Sequence, residues 1–338
     1  ILGIGLLIIS ITKVFDNLFK IISYTTYNKP LSSVGFKNRI YDESILSRGI
    51  KVVVVGGGTG LSVLLRGIKR FTSNITAIVT VADDGGGSGK LREDLGMLPP
   101  GDIRNCILAL ADTEPIMEKL LQYRFKDGTL KKQSFGNLLI AAMVGISDSF
   151  EDAIKRINEI FAVAGKVLPV TTENITLFAK LKNGQTIKGE SQIPIKSLES
   201  GSPIEKVFLK PKKVKALQES IDAIMDADVI ILGPGSLYTS ILPNLLVGDI
   251  TKAINKSTAL KVYISNLMTQ PGETDGFSIG EHVKAILEHT DNDIIQYVYA
   301  NNQDIPAEII EKYREEGAAP VILTENDVEY LRRNKIKI

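Results

Sequence analysis

The residues of this sequence best equipped for chemistry are three glycine-rich runs, two adjacent aspartates and a few amides beside them. Gly56-Gly57-Gly58-Thr59-Gly60 comes directly after Val52-Val53-Val54-Val55. Glycine leaves no Cβ between backbone N–H groups and a ligand, so such a turn ahead of a helix lets an anion reach the free N–H groups. Asp83-Asp84-Gly85-Gly86-Gly87-Ser88-Gly89 and Gly233-Pro234-Gly235-Ser236 repeat the pattern, and Asn266 closes another apolar run. Any one of these motifs reads equally well as a glycine-rich turn that binds nothing. The first also lacks two common signatures. Leu61 stands where the dinucleotide fingerprint needs its third glycine, and no Gly-Lys-Ser/Thr follows. An anion still fits this turn, while ordinary NAD binding is disfavoured.

Those turns need a scaffold that gathers them. Four consecutive valines without polar alternation predict a strand buried on both faces of a parallel sheet. Leu61, Leu64, Leu65, Ile68 and Phe71 recur at helical spacing and predict the helix that follows. Apolar runs at 75–81, 229–232 and 260–266 predict three more strands. In right-handed βαβ units the C-terminal ends of parallel strands share one edge, so all four turns should surround one crevice. The fold class expected is α/β, a doubly wound, mostly parallel, Rossmann-like sheet carrying a small antiparallel β insertion. Residues 51–166 and 213–338 form the two parts of the nucleotide-binding domain, and residues 167–212 the insertion. There, alternating runs flank Asn183-Gly184, a preferred two-residue hairpin turn. The insertion reads as a lid, a partner surface or a plain structural element. Helices at 116–125, 138–146, 279–289 and 306–315 and strands at 294–299 and 320–323 complete the pattern.

Four polar or glycine-rich turns on one edge favour a phosphate-bearing ligand, and the aspartates set a condition on it. A carboxylate beside a diphosphate is repulsive unless something neutralises or spaces it. Either Mg2+ bridges carboxylate and phosphate oxygens, or Asp83 and Asp84 accept hydrogen bonds from sugar hydroxyls while the phosphates lie over the glycine turns. Arg104 is a candidate counter-charge, and equally a structural partner of Asp102 or Glu114. Asn137 opens a helix where its amide could meet a ligand or merely cap the helix. Ser88 and Ser236 have no evident base beside them, and Cys106 lies in an apolar helical run. Any catalysis would rest on positioning and on Asp83 and Asp84 with metal.

Composition narrows the classes further. The 338 residues carry 40 Lys and Arg against 39 Asp and Glu, so no overall positive field exists to hold nucleic acid. The cluster Arg332, Arg333, Lys335 and Lys337 reads as a solvated tail. One cysteine excludes an intrachain disulfide framework. His282 and His289, seven residues apart, are too distant for one metal and read as surface residues. Residues 1–50 stand apart as an apolar segment and a basic linker. Residues 1–12 are almost wholly apolar, yet a helix that short crosses only about half of a roughly 30 Å hydrocarbon core. They read as the end of a membrane span, with a signal-peptide remnant or a docked apolar helix as alternatives, and the Lys- and Arg-rich stretch after them suits a cytoplasmic flank.

Taken together, Val55-Gly56-Gly57-Gly58-Thr59-Gly60-Leu61, Asp83-Asp84-Gly85-Gly86-Gly87-Ser88-Gly89, Leu98-Pro99-Pro100-Gly101-Asp102-Ile103-Arg104-Asn105, Leu232-Gly233-Pro234-Gly235-Ser236-Leu237-Tyr238 and Asn266-Leu267-Met268-Thr269-Gln270-Pro271-Gly272-Glu273-Thr274 resemble the YvcK branch of the YvcK/CofD family. The resemblance runs from about residue 50 to 325. It implies a UDP-sugar-binding regulator, of the UDP-N-acetylglucosamine type, that links gluconeogenic growth to cell-wall synthesis and cell shape without an established reaction. The CofD branch implies the alternative, a metal-dependent phospholactate transferase; an NAD(P) oxidoreductase is a third reading. Carried over by position, the resemblance places Gly57, Gly58, Thr59, Gly60, Asp83, Asp84, Asn105, Asn137, Gly235, Ser236 and Asn266 at the ligand. Ser88, Arg104 and Gly233 join them as candidates. The branch also implies a cytoplasmic protein, here with a candidate attachment to the membrane's cytoplasmic face through residues 1–12. Homo-oligomers and protein partners in cell-wall synthesis are further expectations.

Overall fold

The structure, a computed structural model, describes Lys13 and residues 44–112, 115–290 and 293–338. The chain divides into two units, residues 1–49 with 70–74 and residues 50–69 with 75–338. In the first, the described part is a helical turn at 44–47 and the segment 70–74, tied together by Asn74. Its Nδ2 donates to the carbonyls of Ser47 (2.9 Å) and Gly49 (2.7 Å). Residues 1–12, read above as the end of a membrane span, lie outside the described residues. Among the described residues no helix is long and apolar enough to cross a membrane.

The second unit carries the strands β1 (Val52–Gly56), β2 (Ile75–Val79), β3 (Lys166–Pro169), β4 (Thr176–Leu181), β5 (Thr186–Lys188), β6 (Ile204–Lys210), β7 (Val229–Leu232), β8 (Leu260–Ile264) and β9 (Tyr297–Tyr299). Its helices begin with α1 (Gly58–Ile68), α2 (Gly86–Leu95), α3 (Gly101–Leu110), α4 (Pro115–Gln122), α5 (Phe135–Gly145), α6 (Phe150–Ile160) and α7 (Ile193–Ser200). They continue with α8 (Gln218–Met225), α9 (Leu242–Leu245), α10 (Gly248–Lys256), α11 (Ile279–His289), α12 (Ala307–Glu315) and α13 (Glu325–Arg333).

Six strands form one sheet in the order β3-β2-β1-β7-β8-β9, and every pairing is parallel. β1 is buried along its whole length, as four valines without polar alternation require. Gly56 pairs with Val79, Val55 with Leu232 and Leu232 with Tyr263. The strands therefore end in step, and the turns after β1, β2, β7 and β8 leave from one rim. This is the Rossmann-like α/β architecture read from the sequence. A second sheet, β5-β4-β6, is antiparallel, with Asn183-Gly184 turning β4 into β5. Lys166–Pro169 belongs to the parallel sheet, on the boundary from which the insertion was reckoned.

Several local expectations change. Helix α1 stops at Ile68, and Phe71, counted into its apolar stripe, is 79% exposed. The expected strand at 320–323 is reduced to an isolated bridge between Pro320 and Met268. The basic C-terminus is solvated at Arg332, Arg333, Lys335 and Lys337 as read, but its backbone is ordered: Arg332 and Arg333 end α13, and the Lys337 carbonyl accepts from Val298 N (2.8 Å). His282 is fully buried, with Nδ1 2.8 Å from the Ser278 carbonyl, and His289 Nε2 accepts from Val207 N (3.0 Å) on β6. Burial disfavours the charged form of both imidazoles and lowers both pKa values. Neither histidine is the surface residue expected.

Candidate functional site

The glycine turn after β1 is built for close backbone approach. Gly58 has φ +71°, and a Cβ at Gly60 would lie 2.9 Å from the Pro234 carbonyl oxygen. A side chain at Gly60 would force the β1 and β7 turns apart. Asn266, at the end of β8, fastens the β7 turn from the other side. Its Oδ1 accepts from Gly235 N (3.2 Å) and its Nδ2 donates to Gly235 O (2.9 Å). Ser236 then heads the wide helical turn Leu237–Ile241, accepting from Ser240 N (2.9 Å) and Ile241 N (3.0 Å).

Both helix starts at this rim already face a carboxylate of the protein. Glu273 accepts from Tyr238 N (3.2 Å) and Thr239 Oγ1 (2.9 Å). Asp102, in the first turn of α3, receives the Gly58 N–H at the start of α1. These N–H groups are where the sequence reading placed a phosphate, and an internal anion uses the same helix-terminal field.

The aspartates after β2 lie beside them. Asp83 Oδ1 accepts from Gly85 N (2.8 Å), and Asp84 Oδ1 accepts from Ser191 N (2.9 Å), so the insertion closes onto the crevice. Glu190, from that same corner of the insertion, joins the group. Burial, followed by the charges of Asp83, Glu273, Asp102 and Asp84, pushes its pKa up to about 8. Asp102 rises to about 6 through burial and the charge of Asp83, against the Gly58 N–H. Glu273 rises to about 7, mainly through burial. Asp83 is also raised by burial, with the Gly85 N–H and the Ser88 hydroxyl opposing. Among the described residues no group of three or more His, Cys, Asp or Glu is arranged to hold a metal ion.

A chain of side-chain contacts leads from the aspartates to a basic region. Ser88 bonds Asp83 and accepts from Asn137 Nδ2 (3.4 Å). Asn137 Oδ1 accepts from Arg104 Nη1 (2.6 Å), which also donates to Ser134 Oγ, and Arg104 Nη2 donates to Asn105 Oδ1 (2.9 Å). Arg104 is only 8% exposed, and its hydrogen bonds among the described residues all go to neutral side chains. The bridge to Asp102 offered as an alternative does not form; Glu114 lies outside the described residues. Asn137, 2% exposed, spends its amide inside the protein, while Ser134 caps α5 by accepting from Asn137 N (3.2 Å). Thr59, Arg104 and Asn105 open onto a pocket of about 410 Å3 that Arg66 and Arg124 also line.

The fourteen candidates thus gather around one rim in two clusters. Gly57, Gly58, Thr59, Gly60, Gly233, Gly235, Ser236 and Asn266 form the glycine side; Asp83, Asp84, Ser88, Arg104, Asn105 and Asn137 form the polar chain. Glu190, Arg66 and Arg124 were missed. None of them stands in any of the motifs singled out from the sequence.

A doubly wound α/β protein with a polar crevice at the carboxyl ends of its strands is the class these features define. The chain belongs to the CofD family: the family model described as 2-phospho-L-lactate transferase CofD matches residues 52–338. A putative gluconeogenesis factor of Clostridium acetobutylicum is 54% identical over 329 residues, covering 97% of this chain and 73% of the relative. The gluconeogenesis factor of Bacillus subtilis is 49% identical over 289 residues, covering 85% and 89%. A crystal structure of a UPF0052 family member from Bacillus halodurans superposes with a TM-score of 0.82 at 47% identity, over 86% of this chain and 92% of that one.

Proposed function

We propose that this chain binds a nucleotide sugar of the UDP-N-acetylglucosamine type in the crevice and acts as a regulatory factor linking gluconeogenic growth to cell-wall synthesis and cell shape. The observation that carries the reading is the convergence of the β1, β2, β7 and β8 turns on one rim with Asp83 and Asp84 among them. Asp84 spends one oxygen on the Ser191 N–H and Asp83 bonds the Gly85 N–H and the Ser88 hydroxyl, which leaves further lone pairs for sugar hydroxyls. The gluconeogenesis-factor names of the relatives support a regulatory role. A second reading, CofD-type transfer of a phosphate-bearing group, is favoured by the family match. In it, Asp83 or Asp84 would hold Mg2+ together with phosphate oxygens, a mode that one or two carboxylates suffice for.

A melting-temperature panel separates the two. Ligand at about 100 times its dissociation constant adds roughly 2.7 kcal/mol, a shift of several degrees. UDP-N-acetylglucosamine is expected to raise the melting temperature with EDTA present. A shift with GDP and Mg2+ but none with UDP-N-acetylglucosamine would replace the first reading with the second.

A further inference from the structure

The arginine-lined pocket has properties that the crevice lacks. It lies between α1, α3 and the end of α4, and its lining excludes both aspartates. Three guanidiniums face it. Arg66 pairs with Glu118 (2.6 Å). Arg124 donates to the Lys132 carbonyl (3.1 Å), and Arg104 bonds only neutral groups among the described residues. Among the described residues the one ion pair these three arginines make is Arg66 with Glu118, while Asp102 and Asp83 act on Arg104 from beyond hydrogen-bond reach. Arg104 is more than nine-tenths buried, and its Nε has no hydrogen-bond partner there. Burying a guanidinium whose partners are all neutral is costly, and an anion within reach of it would offset that cost. Burial and then the proximity of Arg124 lower the Arg104 pKa to about 10 even though Asp102 and Asp83 pull it upward, so an anion between the two arginines would relieve their repulsion. Thr59, at the start of α1, adds a hydroxyl. The volume suits a small ligand.

We propose that this pocket is an oxyanion subsite that takes the phosphate or diphosphate group of a small metabolite, held by Arg66, Arg104 and Arg124 beside Thr59. Applied to a nucleotide sugar, which rests on the reading above, it places the diphosphate on the arginine side of the glycine turn and leaves the aspartates for hydroxyls. It also resolves a conflict within the crevice. The N–H groups at Gly58 and Tyr238 are engaged by Asp102 and Glu273, so a diphosphate there would meet carboxylates.

The test is calorimetric titration of the intact chain with inorganic pyrophosphate, in wild type and in an Arg66→Gln/Arg124→Gln double variant. Both side chains are exposed, so the variant is expected to fold. Pyrophosphate should bind wild type and bind the variant at least about tenfold more weakly, the scale of losing charged hydrogen bonds. No binding to wild type, or equal binding to both, overturns the proposal. Titration with UDP-N-acetylglucosamine separates the two ideas. If it binds both proteins equally, the subsite assignment fails and the nucleotide-sugar reading stands. If it binds neither while pyrophosphate binding depends on the arginines, that reading fails and the subsite stands.

Discussion

Two sides of the same glycine turn carry opposite charge. On one, Asp83, Asp84, Asp102, Glu190 and Glu273 crowd together; on the other, Arg66, Arg104 and Arg124 share a pocket. The acidic side is satisfied largely from within, by backbone N–H groups of Gly58, Gly85, Ser191 and Tyr238. The arginine side gathers three guanidiniums around one pocket, and among the described residues the one ion pair they make is Arg66 with Glu118. A glycine-rich turn at a helix start is thus insufficient to locate a phosphate, because the protein's own carboxylates compete for the same field. What discriminates is which charges remain unpaired once the fold has formed.

The largest effect that would sharpen this contrast is the pH dependence of stability. Glu190, Glu273 and Asp102 have folded pKa values raised to about 8, 7 and 6. A raised carboxylate binds more protons folded than unfolded, so its contribution is fully present below the ordinary carboxylate pKa and is lost as pH rises through the folded value. His282 and His289, with lowered folded values, act in the opposite sense only up to their ordinary pKa of about 6.5, so the urea midpoint should fall between about pH 7 and pH 8.5. Glu190→Gln should flatten the upper part of that profile, whereas Arg66→Gln/Arg124→Gln should leave its slope unchanged. A wild-type profile flat between about pH 7 and pH 8.5 would mean that the carboxylates are not crowded.

Arg104 ties the two sides together through Asn137 and Ser88, and removing it is the next largest perturbation. Arg104→Met keeps the apolar stem and strands Ser134, Asn137 and Asn105 without their shared donor. Losing charge-assisted bonds at a buried site costs about 3 kcal/mol, readable as a drop of several degrees in melting temperature. Arg104→Lys should recover part of the stability and little pyrophosphate affinity, because a single ammonium cannot reproduce the planar fork. Equal stability of Arg104→Met and wild type would show that the contact chain does not couple the two sides.

How much of this was legible in the sequence depends on whether the signal is local. Val52 to Val55, the glycine turns and Asn183-Gly184 announce themselves within a few residues, and the parallel sheet follows from them. Asp83, Ser88, Arg104 and Asn105 stood in recognisable motifs, although the bonds that join them cross from α2 to α3 and α5. Arg66 and Arg124 carried no such mark, because only the packing of α1 against α3 and the end of α4 makes them neighbours. Glu190 was hidden in the insertion, whose corner reaches the crevice by tertiary folding. His282 was readable and misread. Ile279, His282, Val283 and Ile286 share helical spacing and one buried face of α11, which is where a neutral, desolvated imidazole belongs.

The smallest expected effect is also the one that decides what the acidic side is for. Asp83→Asn keeps the acceptor for Gly85 N and the shape of the turn, and removes one negative charge and one hydroxyl acceptor. If Asp83 accepts from a sugar hydroxyl, UDP-N-acetylglucosamine should bind about tenfold more weakly, roughly 1.4 kcal/mol, and the loss should persist in EDTA. Inorganic pyrophosphate, lodged on the arginine side, should bind the variant as it binds wild type. A loss for the nucleotide sugar that vanishes in EDTA would assign Asp83 to a metal instead. A gain in pyrophosphate affinity would mean that phosphates approach the aspartates after all, and the division between the two sides would not hold.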